Sequence, residues 1–248
     1  MKTFLSLSCC VVSFGLLASP ADSLRLEKKP KVSKSTLLIR THNMGQFIFS
    51  GRIVSPNPVV DFTYQYDRKT WGATLFKAFD MRDRSTGINF ALATVRKNIA
   101  ITKKWTLTPQ VGLILEQSKS FADKGSDVAV FFINTYKISP ALTAECAVVF
   151  FNLAIDPAER DWVNRFRLLH SHGHWDLAAS AWHNNKVIDH DNSVYFSSGA
   201  SLYYSRLKVT DHLLLNAGVN ALWMAYTSNP GEYPRDNGLF FTLSGLIH

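Results

Sequence analysis

The chain is short of charge. Asp, Glu, Lys and Arg supply 19% of its 248 residues, while hydrophobic residues reach 46% and aromatic residues 12%. Soluble domains average about 25% charged residues. So little charge with so many aromatics excludes a disordered tail and a coiled coil. Cysteine is also scarce, with three in all. Cys9 and Cys10 fall in an N-terminal apolar segment, which leaves Cys146 alone. One thiol closes no internal disulfide, so a disulfide-dense scaffold is excluded and Cys146 reads as a small apolar strand residue. Long apolar runs are missing as well. Beyond the N-terminal segment no stretch reaches about 18 uninterrupted apolar residues, the length of a helical span. A membrane role must then come from a β-barrel, the other structure that satisfies its backbone in lipid.

Residues 1–23 carry the marks of a secretory signal peptide: a basic start at Lys2, an apolar run from Phe4 to Leu17, and small residues around Ala21. The formal charge of +8 is unchanged by its removal, because Lys2 and Asp22 leave together. A basic exported protein favours anions or lipid phosphate. Nucleic acid is not an expected partner, since no zinc spacing or recognition helix appears. Residues 24–44, with Lys28, Lys29, Lys31 and Lys34, read as a basic periplasmic lead-in.

From residue 45 to 248 the pattern is one of apolar and aromatic segments of about 10–14 residues, separated by turn clusters. Trp105–Gln117 places Trp105, Leu107, Val111, Leu113 and Leu115 on one face, and Thr106, Thr108, Gln110 and Glu116 on the other. His212–Tyr226 does the same, with Asn216 and Asn220 on its polar face. Alternation over more than ten residues is the signature of a transmembrane strand; strands of soluble sheets average about five or six. Twelve strands are expected, at 46–54, 59–67, 71–80, 88–101, 105–117, 126–138, 141–153, 161–170, 174–184, 193–207, 212–226 and 238–247. Segments 71–80, 88–101 and 126–138 alternate poorly. Connections alternate between short and long, as in an all-β, antiparallel outer-membrane barrel with periplasmic turns and extracellular loops. An even strand count puts both termini in the periplasm. The barrel-assembly machinery is then a partner during biogenesis, and outer-membrane lipid is the surrounding solvent.

With the apolar face outward, the lumen receives Asp61, Gln65, Glu116, Glu145, Arg165, Arg167, Asp176, Asn216 and Asn220. Ions of both signs on neighbouring strands read either as a charged constriction that selects solutes or as an interior network that fills the barrel. His170, His172 and His174 alternate around a tight turn; a metal site would need several imidazoles on one ion, and a solvated turn explains them more simply. His170–Ser171 is the one pair suggestive of a lipid-modifying enzyme, but it has no evident third member, so no enzyme activity and no cofactor are expected.

Two stretches, VVDFTYQYDRKTWGATLFKAFDM (59–81) and HGHWDLAASAWHNNK (172–186), resemble the nucleoside-specific channel-forming outer-membrane proteins, the Tsx-like family of twelve-stranded barrels. The His C-terminus, the short loops and the compact length depart from that family. The resemblance implies a narrow pore for nucleosides, with Asp61, Tyr64, Trp71, Phe76, Asp80, Trp182, His183 and Asn184 at matching positions. Strand parity turns Asp61, Trp182 and Asn184 inward, and Tyr64 and His183 outward. Trp182 is the residue to stack a nucleobase, worth about 1–3 kcal/mol per base. The expected function is passive diffusion of small polar solutes, nucleosides foremost, with a plugged structural or adhesive barrel as the alternative.

Overall fold

The computed structural model describes residues 33–47, 49–82, 89–116, 127–151, 153–154, 161–188, 191–231 and 233–247. The expected signal peptide, the start of the lead-in and much of the longer connections lie outside them. The strands are β1 (Lys34–His42), β2 (Gly45–Phe47), β3 (Arg52–Ser55), β4 (Val59–Arg68), β5 (Trp71–Asp80), β6 (Asn89–Lys97), β7 (Ile99–Ala100), β8 (Trp105–Glu116), β9 (Asp127–Lys137), β10 (Leu142–Phe151), β11 (Asp161–His172), β12 (Trp175–Ile188), β13 (Asp191–Lys208), β14 (Leu213–Thr227) and β15 (Asn237–Ile247). Among the described residues no helix is long and apolar enough to cross a membrane.

Every wall strand pairs antiparallel with its neighbours. β1 pairs with both β15 and β4, so the first and last strands close the ring. β6 and its short continuation β7 both pair with β8 and complete it on the far side. The wall therefore has twelve strands, an all-β closed barrel without edges. β2 and β3 stand apart as a two-stranded hairpin between β1 and β4.

The first strand is not where the sequence suggests it. The barrel begins at Lys34 rather than at residue 45, so half of the segment read as a lead-in is wall. Residues 46–54, read as a membrane strand, form the hairpin instead. Leu37, Leu38 and Ile39 are apolar on both faces, which hides the alternation of β1. The total of twelve survives because one strand replaces the other.

Outward positions carry the apolar band: Leu75, Val95, Val111, Leu113, Leu168, Leu177, Leu202, Phe241 and Leu243 are all exposed. Trp71, Tyr66, Tyr136 and Trp175 ring the end with short turns, and Trp162, Trp223 and Tyr226 the end with long connections. These are the two aromatic girdles of a membrane barrel. Inward positions are largely hydroxyls, amides and ions, among them Thr74, Thr94, Thr108, Gln110, Ser205 and Ser244.

Candidate functional site: an infolded hairpin above a charged cavity

A hairpin this short has little core of its own, so its apolar residues must bury against something else. They bury in the lumen. Phe49 is 5% exposed and packs its ring 5.3 Å from that of Phe131 on β9. Phe76, Phe90, Phe131, Val149 and Val163 form an apolar lining around it. The tip turns at Gly51, where φ is +61° and a Cβ would lie 2.4 Å from Cδ2 of Trp182. Only glycine meets both demands at that position. Asn184 Nδ2 donates to the Ser50 carbonyl at 3.0 Å. At the base, Ser55 and Asn57 both donate to Asp80 Oδ2. On the flank, the Arg52 guanidinium sits 4.6 Å from the centre of the Tyr233 ring, and Tyr233 stacks on Tyr195.

The hairpin explains the poor alternation of three segments. β5, β6 and β9 face it with Phe76, Phe90, Phe131 and Ile133, so their inner faces carry large apolar side chains among the polar ones. β6 also slips register against β8 between Ala91 and Leu92.

Beside the hairpin, toward the short turns, the lumen keeps a cavity of about 200 Å³. Arg40, His42 and Asp61 line one side; Arg167, Asp176 and Trp182 line the other. Arg40 Nε donates to Asp61 Oδ1 at 2.8 Å. His42 Nε2 lies 2.9 Å from Asp61 Oδ2, and its Nδ1 lies 2.8 Å from Thr242 Oγ1. A carboxylate only accepts, so Nε2 carries the proton. Arg206 Nη2 and Ser171 Oγ both donate to Asp176 Oδ1, at 3.1 and 2.6 Å. Asn220 accepts from the Tyr203 hydroxyl at 2.9 Å and donates to Thr242 at 3.1 Å, while Asn216 donates to Ser244 at 3.1 Å.

The sequence-derived set thus divides. Asp61, Gln65, Arg167, Asp176, Trp182, Asn216 and Asn220 line the cavity. Glu145, Arg165 and Asn184 point inward as expected but are buried away from it. Arg165 Nη2 donates to Glu145 Oε1 at 2.7 Å, and Arg167 Nη1 to Oε2 at 3.1 Å. The Arg165 guanidinium lies 5.5 Å from the centre of the Phe49 ring, so this pair underlies the hairpin. The side chain of Glu116 lies outside the described residues. Tyr64 and Trp71 are exposed on the outer face, and His183 stacks on Phe196 there at 4.7 Å. Asp80 holds the hairpin base. Phe76, which parity left open, faces inward. His174 Nδ1 lies 3.0 Å from the Ser205 carbonyl. The pair His170–Ser171 is split across the wall: Ser171 turns in to Asp176 while His170 is exposed on the other face.

Reasoning from the sequence missed Arg40 and His42, which sit in the supposed lead-in, and the hairpin contacts of Phe49 and Gly51. Ser50–Gly51 is a turn signal inside the supposed strand 46–54, and was the local sign of the hairpin.

Neither a protein-family model nor a curated protein sequence matches the chain. Solved structures do. A NanC porin superposes with a TM-score of 0.57 at 11% identity, over 86% of this chain and 99% of that one. A KdgM porin gives 0.57 at 5% identity, over 86% and 98%. A KdgM porin in complex with disordered oligogalacturonate gives 0.56 at 5% identity, over 87% and 99%. At such identities the likeness is one of fold, and the fold is that of an outer-membrane porin barrel.

Proposed function

We propose that the protein is an outer-membrane channel through which small polar solutes diffuse, with the β2–β3 hairpin as its constriction. The observation that carries this reading is the cavity itself: a space inside a lipid-facing barrel where ions of both signs stand among apolar and aromatic side chains, narrowed by one inserted element. Selectivity filters work by such rings of charge and by constriction. The mechanism is passive and needs no catalytic group. The short turns and both termini lie on the periplasmic side in this reading, because the longer connections of such barrels are extracellular.

Near-balance of charge favours neutral solutes. Arg40 is offset by Asp61, Arg206 by Asp176, and Arg167 shares Glu145 with Arg165, which leaves four guanidiniums held by three carboxylates. A polyanion such as the oligogalacturonate of the KdgM complex gains little from guanidiniums already paired. Nucleosides fit better, being uncharged and rich in donors and acceptors. Trp182 is 5% exposed and its ring is pressed by Gly51. A base therefore stacks there only when the hairpin tip withdraws, which couples solute binding to opening. The close packing of Phe49 favours the second reading, a plugged barrel with a structural or adhesive role.

Single-channel recording of the refolded full chain in a planar bilayer tests both. Steady conductance that nucleosides reduce, and that Trp182→Ala renders insensitive, is the expected result. Replacing residues 45–55 by a Gly-Ser linker should raise conductance severalfold. A folded barrel that stays silent until the hairpin is removed would support the plug, and one that stays silent even then would sink the channel.

A further inference from the structure

The short-turn end of the barrel is markedly basic along one arc. Arg68 and Lys69 stand at the β4–β5 turn, Lys97, Lys103 and Lys104 beside the β7–β8 turn, and Lys137 at the β9–β10 turn, all exposed. Backbone hydrogen bonds join these turns into one surface: Asn98 N to Thr70 O at 2.7 Å, and Lys137 N to Lys104 O at 2.8 Å. None of the six cations makes an ion pair among the described residues. The carboxylate within the arc, Asp67, is held by Arg96 from the lumen at 2.7 Å. The opposite arc differs: it carries His170, His172, His174 and His212, and its Lys208 is paired with Asp211.

The cations do not stand in a purely polar surround. Trp71, Trp105, Tyr66 and Tyr136 lie next to them on the outer face, and Lys97 Nζ sits 5.2 Å from the centre of the Trp71 ring. Ile99, Ile101 and Ile138 are exposed at the same turns, at 37%, 45% and 43%. Aromatic rings mark the interface of a bilayer, and lysine stems lie along apolar surface with the ammonium in the headgroups. Apolar turn tips suit that depth better than open water.

We propose that this arc, from the β4–β5 turn to the β9–β10 turn, is a docking surface for the phosphate headgroups of anionic phospholipid. Each cation near an anionic membrane surface strengthens association by about fivefold, and the effect fades within a Debye length. The arc therefore recruits phosphatidylglycerol-type lipid to one side of the barrel, and the histidine arc does not. This holds whether or not the lumen conducts.

The test uses the full chain folded into phosphatidylcholine vesicles that contain either brominated phosphatidylglycerol or brominated phosphatidylcholine. Quenching of tryptophan fluorescence gives the ratio of the two association constants. The expected ratio is about fivefold in favour of phosphatidylglycerol at low salt, falling toward one at high salt. Replacing Lys97, Lys103, Lys104 and Lys137 by Gln should lower it clearly toward one at low salt, the remainder being owed to Arg68 and Lys69, while Lys208→Gln leaves it unchanged. If the fourfold variant fails to fold, Lys103→Gln with Lys104→Gln on the exposed turn keeps the test, with an intermediate ratio expected. A ratio of one in the unaltered protein, or a preference undiminished by the fourfold change, overturns the proposal. Binding of polyglutamate without any lipid preference overturns it too, and assigns the surface to an acidic protein partner.

Discussion

Glu145 carries more than one role in a single carboxylate. It is 1% exposed and accepts from Arg165, itself 1% exposed, and from Arg167. Buried ions tolerate isolation badly: removing one partner of such a pair costs about 3–5 kcal/mol, because the other charge stays behind. Glu145→Gln leaves two guanidiniums facing a neutral amide beneath Phe49. Unfolding by urea from vesicles should show a loss of that size. A loss below about 1 kcal/mol would mean that water already serves the pair as it does at a surface. The partners of Glu145 were legible from strand parity alone, since Arg165 and Arg167 sit on the next strand with inward parity. That Glu145 lies behind the hairpin and not on the cavity was illegible, because parity gives a face and no depth.

At the scale of elements the hairpin is what the sequence concealed. Residues 46–54 have the length and apolar content of a strand, and apart from Ser50–Gly51 nothing local separates a strand in the wall from one folded into the lumen. A second sign lay in the segments it docks on. β5 and β9 lose their alternation because Phe76, Phe131 and Ile133 must meet Phe49 and its neighbours. The long alternating strands β8 and β14 were legible because most of their inner faces meet polar groups or cavity. Gly51 is where the hairpin is most sensitive. Gly51→Val places a β-branched side chain at positive φ, and drives Cβ into Trp182 and Ser197. Strain of about 1–3 kcal/mol at such a position is relieved by undocking the tip, while the twelve wall strands keep their pairing. The expected outcome is a barrel of unchanged circular dichroism whose conductance rises, with Trp182 newly open to a soluble quencher. Loss of the barrel spectrum would mean that the hairpin holds the wall together.

The whole molecule is organised by two surroundings, lipid outside and a narrow lumen of mixed polar and apolar lining inside. Both leave a depth signature. Val111 lies midway along β8, is 56% exposed, and points out between the two aromatic girdles. Tyr66 points out at the short-turn girdle and is 37% exposed. Arginine on the lipid face costs about 2–4 kcal/mol at the bilayer midplane and about 0–1 kcal/mol near the interfaces. Val111→Arg should therefore destabilise the folded barrel by the larger amount in vesicles, and Tyr66→Arg by the smaller one. Both variants leave the lumen untouched, so single-channel conductance of the folded fraction should match the unaltered protein. The ratio of the two penalties is the informative quantity, because both positions lie on the outer face of antiparallel wall strands, one at the midplane and one at the girdle. Equal penalties would mean that the aromatic rings do not mark the membrane boundary, and that the apolar band is covered by protein instead of lipid.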